Sequence, residues 1–235
     1  MPTYNEAENL EPIVEALGSA FASAGLDGRM LVIDDDSPDG TGRLADDLAA
    51  RLGFVEVLHR ARKEGLGPAY LAGFRRALAG DAELVMEMDA DFSHDPADVP
   101  RLVEAARGAD LVLGSRYVPG GGVRNWGVGR RFVSRAGSLY ARVVLGAHLH
   151  DLTGGFKCYR REVLETIDLD RISSIGYAFQ IETTYRTLAA GFRVVEVPIV
   201  FADRTRGRSK MTGPIVLEAV TKVPALRLAA ARKRL

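Results

Sequence analysis

The sequence contains almost no cysteine, no long apolar run and no surplus of either charge. Its single cysteine, Cys158, excludes an internal disulfide and a thiolate metal cluster, and it favours a reducing compartment. No stretch approaches the roughly 18 uninterrupted apolar residues of a transmembrane helix. The first residues also lack the charged-then-apolar pattern of a signal peptide. We therefore expect a cytoplasmic protein.

The net charge of zero hides a division of charge along the chain. Residues 1–115 carry 22 acidic and 10 basic side chains, whereas residues 116–235 carry 9 acidic and 21 basic ones. The first part suits a cation and the second suits anions, a combination that phosphate-bearing substrates require. The basic part has no aromatic-interleaved platform or motif typical of nucleic-acid recognition, so we expect no nucleic acid as a partner.

Apolar periodicity predicts an alternation of helices and strands. Repeated strand–helix–strand units favour an α/β fold with a mainly parallel sheet flanked by helices. A glycine-rich, arginine-bearing loop is expected after residue 116. The predicted helices are 6–24, 41–52, 69–79, 96–106, 132–145 and 180–190, and the predicted strands are 30–33, 55–58, 84–88, 111–113 and 194–200.

The two ends of the chain add two expectations. Residues 2–6 resemble a segment that normally follows a strand, so we expect the first strand to be missing or truncated in a main domain of residues 1–212. Residues 213–235 predict a cationic amphipathic helical appendage, which Pro224 should break or kink. We favour attachment of this segment to an anionic membrane surface. Packing against the main domain or a dimer mate is the alternative.

Asp89 and Asp91 follow the buried run 84–88 and stand two residues apart, so their side chains can face one cation from the same side. Hard cations such as Mg²⁺ or Mn²⁺ take oxygen ligands and hold diphosphates through one or two carboxylates. A solvated strand end is the alternative. Two other strands end in polar residues, at 34–36 and 115–116, and ligands of such sheets lie beyond the strand ends. These three ends together predict a metal and phosphate site.

Four segments, 2–6, 34–41, 89–94 and 114–117, occur in an order and spacing that resemble a known family. With the basic run 204–210, they resemble the inverting family-two glycosyltransferases, specifically the polyprenol (dolichol) phosphate mannose synthases. The resemblance implies a GT-A-like (Rossmann-like) fold. It also implies transfer of mannose from GDP-mannose to a polyprenyl monophosphate, with one divalent cation, Mg²⁺ or Mn²⁺.

The resemblance implies donor-binding roles for several residues. Asp89 and Asp91 would chelate the metal, and water is expected in the place of a third protein ligand, because Ser93 stands where some relatives have glutamine. His94 is interpreted as a loop residue, since this class of metal prefers oxygen. Asp36 has an alternative role, with Asp39, in capping the following helix. The expected contacts to nucleotide and diphosphate are Pro2, Tyr4, Glu6, Asp36, Asp89, Arg204 and Lys210.

The acceptor would be held by cations. A lipid monophosphate is already anionic near neutral pH, so it needs guanidinium groups, which bind phosphate bidentately, more than it needs a general base. A solvated basic loop is the alternative. Arg116, Arg130, Arg131 and Ser134 are the candidate contacts to the acceptor phosphate. The resemblance implies Arg116 and one of Arg130 or Arg131, with Ser134 assisting, and the expected catalytic residues are Asp91, Arg116 and Arg131.

Five further residues match family segments near the donor sugar without a clear role. For Glu182, a structural pairing with Arg186 four residues later is an equal alternative. The others are Asp151, Thr153, Gly154 and Gln180.

Two rival functions stay open at this point. The motifs bind metal and diphosphate rather than a base or a sugar hydroxyl, so glucose transfer from UDP-glucose to polyprenyl phosphate is the nearest rival. A non-catalytic nucleotide-binding or membrane-recruiting subunit is the second. The expected location is the cytoplasmic face of a membrane, where a membrane-spanning partner protein is a further candidate.

Overall fold

The computed structural model describes residues 1–203 and 213–232. Arg204 and Lys210, which were predicted to contact the donor diphosphate, lie outside the described residues, as do residues 233–235. Within the described residues, the predicted α/β fold with parallel strand pairs and flanking helices is confirmed.

The first sheet has the order β1-β2-β3, and its neighbouring strands are parallel. Its first strand is present, with two residues. The amide of Ile33 donates to the carbonyl of Met1 at 2.9 Å, and the amide of Asp35 donates to that of Thr3 at 3.1 Å. This short pairing places the loop after β1 beside the loop after β2. The elements are β1 (Pro2–Thr3), α1 (Ala7–Ala24), β2 (Met30–Asp34), α2 (Thr41–Arg51) and β3 (Val55–His59).

The second sheet has the order β4-β7-β5-β8, with β7 antiparallel to both of its neighbours. β5 and β8 are parallel. The insertion of β7 brings Lys157 directly opposite Glu87 of β4, inside the protein. The elements are α3 (Leu66–Leu78), β4 (Leu84–Glu87), α4 (Val99–Ala105), β5 (Leu111–Ser115), β7 (Lys157–Arg160), α6 (Arg161–Thr166), α7 (Tyr177–Ala189) and β8 (Val194–Pro198).

The region after β5 departs from the predicted glycine-rich loop. It contains β6 (Gly122–Arg124), which pairs in parallel with β9 (Val200–Ala202), and α5 (Val128–Leu145) begins earlier than predicted. The predicted strand 194–200 is divided at Ile199. The amide of this residue donates to the carbonyl of Ser115 at 3.0 Å, and its carbonyl accepts from Gly122 at 3.0 Å. The chain therefore passes from one strand partner to another at this residue.

The C-terminal helix α8 (Gly213–Ala231) packs against α5 and α7. Val223 and Leu226 are buried in the same apolar core as residues of those helices. The hydroxyl of Tyr140 donates to the carbonyl of Val220 at 2.8 Å. The expected break at Pro224 is absent, since the helix continues through this exposed residue. None of the described helices combines the length and the apolar character that crossing a membrane requires.

We predict that Leu226→Ala lowers the free energy of unfolding by about 2–5 kcal/mol, because it removes a buried side chain and leaves a cavity. Leu228→Ala is the matched control, since Leu228 is 57 % exposed and Leu226 is 6 % exposed on the same helix. The control should change stability by less than about 0.5 kcal/mol. Urea unfolding measures both, and equal small effects would show that α8 is not part of the folded core.

Candidate active site

The loops after β1 and β2 are joined by hydrogen bonds. The amide of Asn5 donates to the hydroxyl of Ser37 at 3.1 Å, and the amide of Glu6 donates to that of Thr41 at 3.0 Å. These bonds bring the predicted nucleotide contacts of the first loop to the segment that contains Asp36. Two of the donor segments recognised in the sequence are therefore adjacent.

The three acids at the end of β2 have different surroundings. Asp34 is buried and accepts from the hydroxyl of Ser37 at 2.6 Å. Asp35 forms an ion pair with Arg60 at 2.5 Å, and burial raises the pKa of Asp35 despite this charge. Asp36 is exposed and adopts a left-handed backbone conformation, with φ 58°. Of the three, Asp36 is therefore the acid accessible to a ligand.

The alternative role of Asp39 is supported, because it binds the first residue of α2. Its carboxylate accepts from the amide of Thr41 at 3.0 Å and from the hydroxyl of the same residue at 2.5 Å. It also accepts from the amide of Ala7 at the start of α1, at 3.2 Å. Asp39 thus forms hydrogen bonds with the first residues of both α1 and α2.

Asp89 and Asp91 lie in the loop after β4, with Asp89 half-buried and Asp91 buried. The amide of Ser93 donates to Oδ1 of Asp91 at 3.0 Å. The hydroxyl of Ser93 is buried and has no hydrogen-bond partner among the described residues. This local donor set consists of oxygen atoms, which fits Mg²⁺ or Mn²⁺. No group of three His, Cys, Asp or Glu side chains that could hold a metal ion occurs in residues 1–203 and 213–232.

The His94 side chain lies under the same loop. The amide of Asp89 donates to Nδ1 of His94 at 3.1 Å, so this nitrogen faces backbone rather than a cation. The imidazole stacks on Phe156, with ring centroids 4.9 Å apart, and meets the edge of Phe201 at 5.2 Å. Burial lowers the pKa of His94 to about 4, which leaves the ring neutral at pH 7.

Arg116 follows β5 and forms a buried bidentate ion pair with Asp151. Its Nε and Nη2 each donate to a different carboxylate oxygen at 2.7 Å, and its own amide donates to Oδ2 at 3.0 Å. Nη2 also donates to the hydroxyl of Thr153 at 2.8 Å. Burial by itself would raise the pKa of Asp151, but the charge and hydrogen bonds of Arg116 hold it below its usual value.

An aromatic cluster joins Arg116 to Arg130. Trp126 is buried, with the guanidinium of Arg130 4.3 Å and that of Arg116 5.6 Å from its ring centroid. Phe201 packs edge-on against Trp126 at 5.3 Å and also faces Arg116. Since Phe201 contacts His94 as well, the cluster connects the candidate metal loop to the two arginines. Arg130 also pairs with Asp203 at 2.5 Å.

The other two predicted acceptor residues lie on α5. Ser134 accepts from the hydroxyl of Tyr117 at 2.6 Å, which ties it to the segment after β5. Arg131 is exposed. Arg130 shares Trp126 with Arg116, so the structure brings Arg130 into the cluster and leaves Arg131 on the outer side of the helix.

A buried polar network below the metal loop was missed in the sequence. Glu87 accepts from Tyr159 at 2.9 Å and from Nε2 of Gln180 at 2.6 Å. Lys157 donates to the carbonyl of Gln180 at 2.8 Å. Burial raises the pKa of Glu87 and lowers that of Lys157 to about 8. The sequence did contain one signal of this network, because Glu87 is a charged residue inside the apolar run 84–88.

The structural alternative for Glu182 is supported by its contacts. Oε1 of Glu182 accepts from Nε of Arg186 at 3.0 Å and from Nη2 at 2.9 Å. Its other oxygen accepts from the hydroxyl of Ser174 at 2.5 Å. Both partners of this ion pair are buried, so Glu182 fixes α7 to the segment before it.

Residues 1–168 match the family model described as glycosyl transferase family 2. The chain belongs to glycosyl transferase family 2. It is therefore a glycosyltransferase, and the matched range includes the Asp89–Asp91 loop, Arg116, Trp126 and Asp151. The predicted membership of the family is confirmed.

Two relatives bear out the narrower resemblance. The family-two chain is 52 % identical over 230 residues to the undecaprenyl-phosphate mannosyltransferase of Micrococcus luteus. The aligned region is 98 % of this chain and 93 % of the relative. It is also 52 % identical over 225 residues to the polyprenol monophosphomannose synthase of Mycolicibacterium smegmatis. That aligned region is 95 % of this chain and 83 % of the relative. The predicted similarity to polyprenol phosphate mannose synthases is confirmed.

Solved structures share the fold of this family-two enzyme. Glucosyl-3-phosphoglycerate synthase from Mycobacterium tuberculosis, in complex with Mn²⁺, UDP-glucose and phosphoglyceric acid, superposes with a TM-score of 0.64 at 22 % identity, over 97 % of this chain and 77 % of that one. The same enzyme with Mg²⁺ and UDP gives 0.62 at 21 % identity, over 99 % and 76 %. At this identity the comparison confirms the GT-A-like fold and nothing further.

We predict that Asp151→Asn lowers the free energy of unfolding by about 3–5 kcal/mol at pH 7, because Arg116 then lacks a buried counter-charge. The pKa of Asp151 is depressed in the folded state, so its contribution is fully present above the unfolded pKa and is lost only at lower pH. The difference from wild type should therefore be the same at pH 8 and pH 5.

Urea unfolding at both pH values measures this difference. Asp46→Asn is the control, because Asp46 pairs with His59 at the surface and should change stability by less than about 0.5 kcal/mol at pH 8. A difference for Asp151→Asn that has already closed at pH 5 would contradict a depressed pKa.

Proposed function

We propose that this enzyme transfers mannose from GDP-mannose to a polyprenyl monophosphate, with inversion, and so supplies a lipid-linked sugar donor for glycan or lipoglycan synthesis. The observation that carries the proposal is the meeting of the Asp89–Asp91 loop with Arg116 and Arg130 around one aromatic cluster. The proposed site for a metal-bound diphosphate and the proposed site for a second phosphate would thus be neighbours. The names of the two relatives support the sugar and the acceptor.

The reaction is a single displacement. An oxygen of the acceptor phosphate attacks C1 of mannose, and the bond from C1 to the diphosphate breaks, so that GDP leaves with the bonding electrons. The acceptor is already anionic and needs no general base. Arg116 is held by Asp151 and Arg130 by Asp203, which orients two guanidinium groups before the acceptor arrives. Arg131 and Ser134 complete the proposed acceptor contacts.

The donor would be held at the edge formed by the loops after β1, β2 and β4. Asp89 and Asp91 would hold Mg²⁺ or Mn²⁺, and a cation bound there supplies charge neutralisation for the departing diphosphate. Asp36 is exposed beside the first loop, in a position to meet a nucleotide. The full set of proposed donor contacts is Pro2, Tyr4, Glu6, Asp36, Asp89, Arg204 and Lys210.

We also propose that α5 rests on the membrane that contains the acceptor lipid. Val128, Phe132, Leu139 and Val143 are exposed apolar residues of this helix, and at its ordinary twist they fall within an arc of about 60°. Arg131 and Arg135 lie beside this stripe and are exposed too. An apolar stripe next to arginines suits the interface of an anionic bilayer. The proposed location is therefore peripheral, on the cytoplasmic face, with or without a membrane-spanning partner protein.

We predict that wild-type enzyme forms a mannolipid from labelled GDP-mannose and polyprenyl phosphate only when Mg²⁺ or Mn²⁺ is present. Asp91→Asn should lower kcat/KM at least about 100-fold, or about 2.7 kcal/mol of transition-state stabilisation. Asp81→Asn is the matched control, because Asp81 is an exposed partner of Arg29 and should retain full activity.

A parallel assay with UDP-glucose distinguishes the rival functions. Formation of glucolipid without mannolipid would show the same transfer to polyprenyl phosphate, with UDP-glucose instead of GDP-mannose as the donor. If folded protein forms neither mannolipid nor glucolipid, with or without metal, the non-catalytic nucleotide-binding role is favoured. Full activity of Asp91→Asn would contradict the metal assignment.

We predict that Phe132→Ser weakens binding to vesicles containing anionic lipid by about 10–150-fold, because losing one aromatic side chain inserted in the bilayer removes about 1.5–3 kcal/mol. Ile175→Ser is the matched control, since Ile175 is an exposed apolar residue outside α5 and α8. Co-sedimentation with vesicles measures both variants. Equal retention of Phe132→Ser and wild type would show that α5 is not the membrane contact.

A further inference from the structure

The backbone of Asp89, one of the two proposed metal ligands, is held by a side chain that is not itself a ligand. We infer that His94 is a positioning residue: its Nδ1 accepts the amide hydrogen of Asp89 and sets the direction in which the Asp89 carboxylate leaves the strand end. This inference rests on the proposed function, since it concerns the proposed metal site.

The hydrogen bond defines the tautomer of His94. The amide nitrogen of Asp89 lies 3.1 Å from Nδ1, and a backbone amide can only donate. Nδ1 must therefore lack a proton, and the single proton of the neutral ring must lie on Nε2. A ring with a proton on Nδ1 could not make this contact.

The position of this acceptor is determined by other parts of the fold. The imidazole lies between Phe156, which precedes β7, and Phe201 of β9, at centroid distances of 4.9 and 5.2 Å. A side chain at Gly155 would approach Cε1 of His94 to 3.9 Å. Two separate segments, residues 155–156 and β9, thus confine the ring, and the ring in turn confines the loop after β4.

The two candidate ligands are held in different ways. Asp91 is held from within the loop, through the amide of Ser93 and Oδ1. The backbone of Asp89 is held by the side chain of His94, whose ring packs against Phe156 and Phe201 outside the loop. Loss of the His94 acceptor should therefore act on the Asp89 side of the site and weaken cation affinity, while leaving the core of the fold in place.

Two substitutions separate the acceptor from the ring. His94→Phe keeps an aromatic ring between Phe156 and Phe201 and removes the acceptor. His94→Asn removes the ring but places Oδ1 at the same number of bonds from Cβ as Nδ1, so it can accept the same hydrogen. The matched control is His148→Phe, the same substitution at an exposed histidine.

The first measurement is Mn²⁺ affinity of the full chain without substrate, by titration followed with electron paramagnetic resonance. His94→Phe should weaken binding about 10–100-fold, the usual effect of losing a group that orients a ligand. His94→Asn should recover most of the affinity, and His148→Phe should match wild type. A folded His94→Phe variant with wild-type affinity would overturn the inference. A wild type without Mn²⁺ binding would overturn the proposed function and this inference with it.

The second measurement needs neither metal nor a substituted His94. Nitrogen-15 NMR of histidine-labelled wild type in EDTA reports which ring nitrogen carries the proton. The chain has 4 histidines, so the signal of His94 is assigned by single substitutions of the other three. We expect a neutral ring with the proton on Nε2. A proton on Nδ1 would overturn the inference, even where His94→Phe fails to fold.

Discussion

The buried ion pair of Arg116 and Asp151 is the interaction on which the candidate site depends. It joins the end of β5 to a segment 35 residues later, with two parallel hydrogen bonds of 2.7 Å. Desolvating two charges is costly, and only near-ideal geometry offsets that cost. The chain thus gains a guanidinium group that is fixed before any substrate binds. Because the side chain is already ordered, less conformational entropy is lost when a substrate binds.

Arginines in both the acidic and the basic part of the sequence are paired with carboxylates in the fold. Arg60 pairs with Asp35, Arg116 with Asp151, and Arg130 with Asp203. The arginines are therefore partly neutralised and held in place, rather than forming one diffuse basic surface. In the proposed acceptor site, a phosphate would meet the oriented donors of Arg116 and Arg130, which favours recognition by geometry as much as by net charge.

The sequence predicted features that depend on local periodicity and missed those that depend on distant pairing. Helices and strands up to β5 follow the apolar pattern closely. Asp89 and Asp91 were predicted as a pair of metal ligands because side chains two residues apart at a strand end point to the same side. The place of β7 is set by Lys157 lying opposite Glu87, a pairing without a local signature. The contact of Trp126 with Phe201 likewise joins residues far apart in the chain. Composition could not distinguish a lipid surface from a protein core. The burial of Val223 and Leu226 therefore matches packing on the main domain, which was the alternative, rather than the favoured membrane attachment.

The proposed membrane contact and the proposed acceptor site belong to one rigid helix. Phe132 is on the outer side of α5, whereas Ser138 is buried and bonded to Thr153 at 3.0 Å. Thr153 in turn accepts from Arg116, so α5 is linked by consecutive hydrogen bonds to the ion pair with Asp151. Because a helix rises about 1.5 Å per residue, Arg130 and Arg131 lie at nearly the same height along α5 as Phe132, with Arg130 turned inward to Trp126. In the proposed arrangement, the depth at which α5 rests on the bilayer would therefore set the height of the acceptor phosphate relative to the donor sugar.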